Sequence, residues 1–272
     1  MPKIVSAAEA ARVIPDDAVV AVNSSSGLNC PDAVLKALGE RFDHEQHPRG
    51  LTMLHPIAAV DMFGIRGVDH IAKPGLMARI IGGSYPSGPS TSEPPRIWQM
   101  LGNNEVAAYN VPSGIMFDLM REAAAKRPGV ITKVGLDTFV DTDREGCAMN
   151  AAAAAAPIVR KIEFDGEDWL YFPSIVPHVA IIRGSVCDER GNLSFGQEGA
   201  YLGAMELALA AHNNGGIVIA QVRQVAENET IKPHDVRVPG ILIDYIVEDP
   251  AQWQTTQTPY APAISGEVFK PI

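Results

Sequence analysis

Short runs rich in Val, Ile and Ala recur along this chain, and stretches with helical periodicity separate several of them. A short apolar run bounded by Gly, Ser or Pro is typical of a buried strand, whereas apolar residues spaced three and four apart are typical of a helix that packs on a sheet. Strands that alternate with helices are joined by crossover connections, which make neighbouring strands parallel. The pattern therefore predicts an α/β fold with an open, mostly parallel sheet and flanking helices.

The predicted elements cover most of the chain. Strands are predicted at 19–22, 51–54, 78–81, 106–109, 134–140, 179–183, 217–222 and 241–247, and helices at 33–42, 96–101, 114–126 and 199–211. The stretch EFDGEDWLYF, residues 163–172, breaks this alternation, and its Asp165-Gly166 centre predicts an inserted β-hairpin. Residues 82–95, GGSYPSGPSTSEPP, have no periodicity and predict a long loop, which either covers a functional site or is a solvent-exposed connector.

Composition narrows the class of protein. The chain has 272 residues, of which 46% are hydrophobic and 20% charged, as is usual for a soluble globular enzyme. The formal net charge of −10 argues against nucleic acid as a partner, because phosphate binding needs a concentrated basic face. The three cysteines are far apart and the histidines show no metal-ligand spacing, so neither a disulfide framework nor a metal site is expected. With no signal-type N-terminus and no apolar run of about 20 residues, a cytoplasmic protein without membrane contact is predicted.

The stretch AVVAVNSSSGLNCPDAVLKAL, residues 18–38, predicts a strand, a tight turn and a helix. Such a turn presents backbone N–H groups to an anion or a developing oxyanion. Its centre, Ser24-Ser25-Ser26-Gly27, matches neither the dinucleotide-binding nor the P-loop pattern. From the pattern alone, a purely structural turn is the more common interpretation and a binding loop the alternative. We expect Cys30 to be a small packed residue rather than an activated thiol.

Several longer segments resemble the family I CoA-transferases of the acetate, propionate and 3-oxoacid type. They are HVAIIRGSVCDERGNLSF (178–195), AHNNGGIVIAQV (211–222), VRVPGILIDYIV (236–247), GVITKVGLDTFVD (129–141) and EVAAYNVPSGIMFDLMREAAAKRPG (105–129). The resemblance covers nearly the whole chain, in order and with compatible spacing. It identifies the chain as the N-terminal or α-subunit half of such an enzyme.

The resemblance carries expectations about domains and partners. Family members have two related α/β halves and transfer CoA by a ping-pong route through a glutamyl-CoA thioester. The nucleophilic Glu belongs to the second half, so residues 1–272 are expected to form a single α-type domain, with about 249–272 as a linker or tail toward a β-type subunit or second domain. The implied substrates are an acyl-CoA and a small carboxylic acid. Coenzyme A is then a co-substrate, and no cofactor is implied.

The resemblance also assigns site residues. Ser113 stands where the family commonly has a Gln that contributes to the oxyanion hole, and the serine turn stands where it has a glycine-rich turn beside the thioester. The residues expected around the acyl group are Ser24, Ser25, Ser26, Gly27, Gly114, Asp137 and Thr138. The Ser residues of the turn, Ser113 and Asp137 all depart from the family pattern. A subunit of an acyl-CoA hydrolase or ring-cleaving relative, and a non-catalytic structural half, therefore stay open as alternatives.

Overall fold

The computed structural model describes residues 1–58, 65–85, 94–255 and 257–272. Within these residues the strands are β1 (Lys3–Val5), β2 (Val19–Val22), β3 (Leu51–His55), β4 (Met77–Gly82), β5 (Ala107–Asn110), β6 (Gly129–Thr132), β7 (Arg160–Phe164), β8 (Glu167–Pro173), β9 (Val179–Arg183), β10 (Val186–Asp188), β11 (Leu193–Ser194), β12 (Ile217–Val222), β13 (Gln224–Ala226), β14 (Val236–Val238) and β15 (Tyr245–Glu248). The α-helices are α1 (Ala7–Arg12), α2 (Asp32–Glu45), α3 (Arg96–Gly102), α4 (Ser113–Ala124), α5 (Ala151–Ala154) and α6 (Ala204–His212). None of the helices in the described ranges is long and apolar enough to cross a membrane.

An open parallel sheet forms the centre of the fold. Its strand order is β1-β15-β12-β9-β2-β3-β4-β5, and each neighbouring pair is parallel. Successive strands from β2 to β5 extend the sheet in one direction, whereas β9, β12 and β15 extend it in the other. The predicted open, mostly parallel α/β sheet with flanking helices is confirmed.

Helices cover both faces of this sheet. Side chains of α1, α2 and α3 share one apolar core with Val20 and Val22, and side chains of α4 and α6 share the other with Ala21. Because both faces are buried, the central strands are continuous apolar runs rather than alternating ones. This explains why the predictions at 19–22, 179–183 and 217–222 match β2, β9 and β12.

The predicted hairpin is confirmed as part of a three-stranded antiparallel sheet. Strands β7 and β8 pair through a turn in which Asp165 has φ 53° and Gly166 has φ 74°, the left-handed conformations that a tight hairpin requires. Strand β6 pairs with the other edge of β8, which gives the order β6-β8-β7. A second small sheet, β13-β10-β11-β14, was not predicted because its strands contain only two or three residues each.

Two strand predictions need correction. The strand predicted at 134–140 is wrong, because the chain there runs through tight turns in which Gly135 has φ 100° and Asp137 has φ 62°. The extended segment lies earlier, in β6. The strand predicted at 241–247 begins instead with a 3-10 turn, Gly240–Leu242, and only its end belongs to β15. Most of the loop predicted at 82–95 lies outside the described residues.

Candidate functional site

The carboxyl edge of the parallel sheet has a point where the strand order reverses. It lies between β2 and β9, which are neighbours although one leads toward β3 and the other toward β12. Open α/β sheets bind ligands outside the carboxyl ends of the strands at such a point, because the chain departs there in two directions and leaves a crevice. The serine turn follows β2, and Arg183 ends β9.

The serine turn is a two-residue hairpin. Ser25 and Leu28 exchange backbone hydrogen bonds of 2.9 and 2.7 Å, and the residues between them, Ser26 and Gly27, have φ values of 49° and 89°. A type I′ turn requires positive φ at both central positions, which glycine adopts freely and a residue with a Cβ adopts at a cost. Ser26 therefore carries backbone strain at a position where glycine would carry none.

The loop after β3 joins this turn to the start of α4. The Ser24 hydroxyl donates to the carbonyl oxygen of Ile57 at 3.4 Å, and the Ser113 hydroxyl donates to that of Pro56 at 2.9 Å. Gly83, just after β4, lies against both the Ser113 hydroxyl and the Pro56 carbonyl. A Cβ at Gly83 would be 1.9 Å from the Pro56 oxygen and 2.2 Å from Ser113 Oγ. The structure thus brings Ser24 and Ser113, which are far apart in sequence, to adjacent carbonyls of one loop.

Helix α4 begins beside this loop and directs its first N–H groups to the carboxyl edge. Its first described backbone bond runs from Met116 N–H to the Pro112 carbonyl at 3.1 Å, and no side chain among the described residues caps the helix. The N–H groups of Ser113 and Gly114 are consequently not used by the helix itself. Because the Ser113 hydroxyl proton is directed to Pro56, the donors that this end of α4 offers are backbone N–H groups, and Gly114 is exposed.

Asp137 and Thr138 lie on a different loop, which follows β6, and both are exposed. The Asp137 N–H donates to the Asp141 carboxylate at 2.9 Å, and the Thr138 hydroxyl donates to the Gly135 carbonyl at 2.7 Å. The bond from the Asp137 N–H, assisted by an ion pair with Lys161 at 3.0 Å, lowers the pKa of Asp141 to about 2. No hydrogen bond among the described residues joins this loop to the serine turn, so the role of Asp137 and Thr138 at the site stays a prediction.

A buried ion pair lies directly behind the serine turn. Arg183 donates from Nε and Nη2 to the two carboxylate oxygens of Glu198, each at 3.2 Å, and both side chains are only 2% exposed. Nη1 donates to the Cys30 carbonyl at 3.1 Å, and Nη2 also donates to the carbonyl of Trp253. Burial raises the pKa of Glu198, which the Arg183 charge opposes. This pair was not predicted from the sequence, although an Arg that ends an otherwise apolar strand, VAIIR, was a usable signal.

A cavity of about 290 Å³ adjoins this pair at the start of α2. Among its lining residues are Cys30, Asp32, Lys36, Arg183 and Asp249, so that acidic and basic groups balance. Burial raises the pKa of the Cys30 thiol well above its ordinary value. The thiol is therefore protonated and unreactive, which agrees with the prediction of a small packed cysteine.

His55, the last residue of β3, is fully buried. Neither of its ring nitrogens has a hydrogen-bond partner among the described residues, and burial lowers its pKa to about 3. The ring is therefore neutral at neutral pH. In the described parts of the chain, no group of three or more His, Cys, Asp and Glu side chains is arranged to hold a metal ion.

The segment CDERGN has a structural role. The Asp188 carboxylate accepts the backbone N–H groups of Arg190 and Asn192, each at 2.9 Å, and the Asn192 side-chain oxygen accepts the N–H of Gly240 at 3.1 Å. A Cβ at Gly240 would lie 2.0 Å from the Arg190 carbonyl oxygen, so only glycine fits there. These contacts join β10 to the segment before β15.

Comparison with known proteins identifies the family of the chain. The family model for coenzyme A transferase matches residues 4–249. A caffeate CoA-transferase of Acetobacterium woodii is 39% identical over 275 residues, which cover 100% of this chain and 51% of that protein. An acetate CoA-transferase of Escherichia coli strain K12, YdiF, is 35% identical over 252 residues, which cover 92% of this chain and 46% of that protein.

The same relationship holds in three dimensions. The crystal structure of the acyl-CoA transferase YdiF from E. coli O157:H7, in a thioester complex with CoA, superimposes with a TM-score of 0.90 at 34% identity. The match covers 99% of this chain and 54% of that one. The chain thus spans about half the length of the curated relatives it matches. In both sequence and fold, the chain belongs to the coenzyme A transferase family.

Proposed function

We propose that this chain forms one wall of the acyl-CoA pocket in an acyl-CoA:carboxylate CoA-transferase. The observation that carries the proposal is the meeting of the serine turn and the start of α4 at the loop after β3, beside the point where the strand order reverses. The unused N–H groups of Ser113 and Gly114 are suited to an oxygen that becomes negative during reaction. The nucleophilic Glu is proposed to lie on a β-type half, either a separate subunit or a second domain.

The proposed reaction has two half-reactions. A carboxylate oxygen of that Glu attacks the thioester carbonyl, the C–S bond breaks, and CoA thiolate attacks the resulting mixed anhydride at the Glu carbonyl to release the free acid. A second carboxylate then takes CoA from the glutamyl thioester by the same steps in reverse. In this chain, the N–H groups at the start of α4 and the serine turn would stabilise the oxyanion of the acyl group. Water must be excluded for the thioester to survive, which a second half packed over the carboxyl edge would achieve.

An apolar surface supports the proposal of a further half or subunit. The outward face of the sheet β6-β8-β7 carries Ile131, Ile162, Phe164, Trp169 and Tyr171, which the strand register places on one side. Ile131 is 49% exposed and Phe164 is 58% exposed. Charged groups border these side chains, with Arg160 over the Tyr171 ring and Lys133 over the Trp169 ring. Exposed apolar side chains rimmed by polar groups are typical of an interaction surface.

Acyl-CoA hydrolysis is the second candidate function, and one observation favours it. The Ser113 side chain is shorter than the Gln that the family commonly has there, and its hydroxyl donates to the Pro56 carbonyl. A water molecule in place of that amide could attack the acyl or glutamyl thioester. Substitutions of Ser113 should therefore distinguish CoA transfer from hydrolysis.

The test uses the native assembly that contains this chain, as wild type and as the Ser113→Gln and Ser113→Ala variants. Each enzyme receives acyl-CoAs of increasing size, with and without labelled acetate. Labelled acetyl-CoA from the wild type, and retained transfer for small acyl groups in Ser113→Gln, support the transferase. Release of CoA at the same rate with and without acetate supports hydrolysis. If no acyl-CoA is turned over, both catalytic functions fail and the chain is a non-catalytic structural half.

The chain purified by itself gives a second test. It should catalyse no exchange of CoA between acetate and an acyl-CoA, and it should form no glutamyl thioester that borohydride reduces, because the proposed nucleophile lies on the other half. Robust exchange by the chain alone would refute this division of roles.

A further inference from the structure

Arg183 is bonded on both sides of the serine turn, through its backbone before the turn and through its side chain after it. Its backbone N–H donates to the side-chain oxygen of Asn23, the residue before the turn, at 2.8 Å. Its Nη1 donates to the carbonyl of Cys30, three residues after the turn, at 3.1 Å. The turn itself has its own hairpin bonds and two long bonds of 3.4 Å to the loop after β3, from the Ser24 hydroxyl and from the Ser26 N–H, so its position depends strongly on how the flanking residues are held.

The same residue fixes two further segments against the turn. Glu198, its ion-pair partner, belongs to the loop before α6, and the side chain of Asn29 donates to the Ala200 carbonyl of that loop at 2.5 Å. The bond from Arg183 to the Trp253 carbonyl, together with a bond from Gln252 Nε2 to the Gly184 carbonyl at 2.9 Å, holds the segment after β15 in the same place. One guanidinium therefore joins the serine turn, the loop before α6 and the segment after β15.

Stability alone does not explain a buried ion pair at this place. Removing two charges from water is costly, and well-packed apolar residues of similar volume are often as stable as the pair they replace or more so. What an apolar pair cannot supply is a set of directed bonds to two carbonyl oxygens. A planar guanidinium supplies them in a fixed geometry, which an ammonium group cannot do.

We propose that Arg183, oriented by Glu198, is a positioning residue that sets the place of the Ser24–Gly27 turn at the carboxyl edge. The effect of Arg183 on catalysis rests on the proposed function, in which the turn faces the acyl group. The effect of Arg183 on the position of the turn is independent of that function. A displacement of about 1 Å at a reacting site can lower a rate about 100-fold, so loss of the two carbonyl bonds should be visible in kcat.

The experiment separates position from stability with a charge-free double variant, Arg183→Met/Glu198→Leu. The matched control is Arg121→Met/Glu206→Leu, which removes an ion pair of 3.4 Å between α4 and α6 away from the turn. The readout that needs no activity is the rate at which a thiol reagent labels Cys30, with the other buried cysteines, Cys147 and Cys187, as internal standards. The second readout is kcat and KM of the native assembly.

We expect the charge-free variant to lower the urea midpoint, because the Cys30 and Trp253 carbonyls lose a donor. It should label Cys30 about tenfold faster through local opening and label the other two cysteines at unchanged rates. Its kcat should fall about 100-fold with little change in KM. Labelling and kcat equal to those of the wild type would overturn the proposal, because the pair would then be structural only.

A second variant, Arg183→Lys, keeps a positive charge beside Glu198 but loses the planar guanidinium that bonds the Cys30 and Trp253 carbonyls. It should also expose Cys30, and wild-type labelling in this variant would contradict the proposal even if the double variant did not fold. If the wild-type assembly shows no CoA transfer, the proposed function fails, while Cys30 labelling still decides whether Arg183 holds the turn.

Discussion

Gly83 offers a sharp test of the site geometry. Its backbone φ is not in the left-handed region, so alanine would meet no conformational penalty there. The added Cβ, however, would lie 1.9 Å from the Pro56 carbonyl oxygen and 2.2 Å from Ser113 Oγ, where carbon–oxygen contacts normally need about 3.3 Å. Gly83→Ala must therefore separate the loop after β3 from the start of α4 by about 1 Å.

The cost of this separation has two parts. Forcing extra volume into a packed site typically costs about 1–3 kcal/mol. Loss of the 2.9 Å bond from Ser113 to Pro56 adds about 0.5–1.5 kcal/mol. We therefore expect Gly83→Ala to lower the free energy of unfolding by about 1.5–4.5 kcal/mol.

The assay is urea unfolding at constant m value, compared with Gly114→Ala as the matched control. A Cβ at Gly114 meets no atom within 4 Å, and alanine favours a helix over glycine by up to about 1 kcal/mol, so the control should be neutral or stabilised. A Gly83→Ala protein within about 0.5 kcal/mol of the wild type would refute the close packing of β4, the loop after β3 and α4.

Substitutions at three further positions test other parts of the structure. The pKa of His55 is about 3 in the fold against an ordinary 6.5, so the unfolded chain binds the proton first and the protein loses stability as pH falls from 6.5 toward 3. In urea unfolding, His55→Leu should reduce this dependence of stability on pH. An unchanged dependence would contradict the buried, neutral His55. Asp141 has a pKa of about 2 in the fold against an ordinary 3.8, so its stabilisation is fully present above pH 3.8 and is lost as pH falls through 2. In urea unfolding, Asp141→Asn should be less stable than the wild type at pH 7 and approach it only below about pH 2. At Ser26, with φ 49°, glycine should relieve the backbone strain and β-branched valine should retain or increase it, so Ser26→Gly should be more stable than Ser26→Val by about 1–2 kcal/mol. Equal thermal stability of the two variants would argue against a left-handed residue there.

The parts of the fold predicted correctly are those where local pattern and burial agree. Strands β2, β9 and β12 are apolar runs buried on both faces, so the residues themselves mark their limits. The segment 134–140 is also apolar, but the left-handed backbone at Gly135 and Asp137 turns the chain. The strand forms instead in β6, which pairs with β8 about 40 residues later, a contact that no local pattern encodes.

Part of the candidate site was predictable from the sequence and part was not. Ser24 and Ser113 follow the carboxyl ends of β2 and β5, and parallel strands bring such ends to one edge, so their approach to a common loop follows from topology. Arg183 was missed because its partners, Glu198 and the Trp253 carbonyl, are 15 and 70 residues away. The contributions of Asp137 and Thr138 stay predictions.

The central claim is that the serine turn and the start of α4 face the acyl group of an acyl-CoA. The most direct measurement is photoaffinity labelling of the native assembly with an acyl-CoA that carries a diazirine on its acyl chain, followed by mass spectrometry of the labelled peptides. Labelling should fall on residues 24–27 and 113–114, and unlabelled acyl-CoA should suppress it. Competed labelling confined to other segments, such as the outward face of β6-β8-β7, would contradict the account.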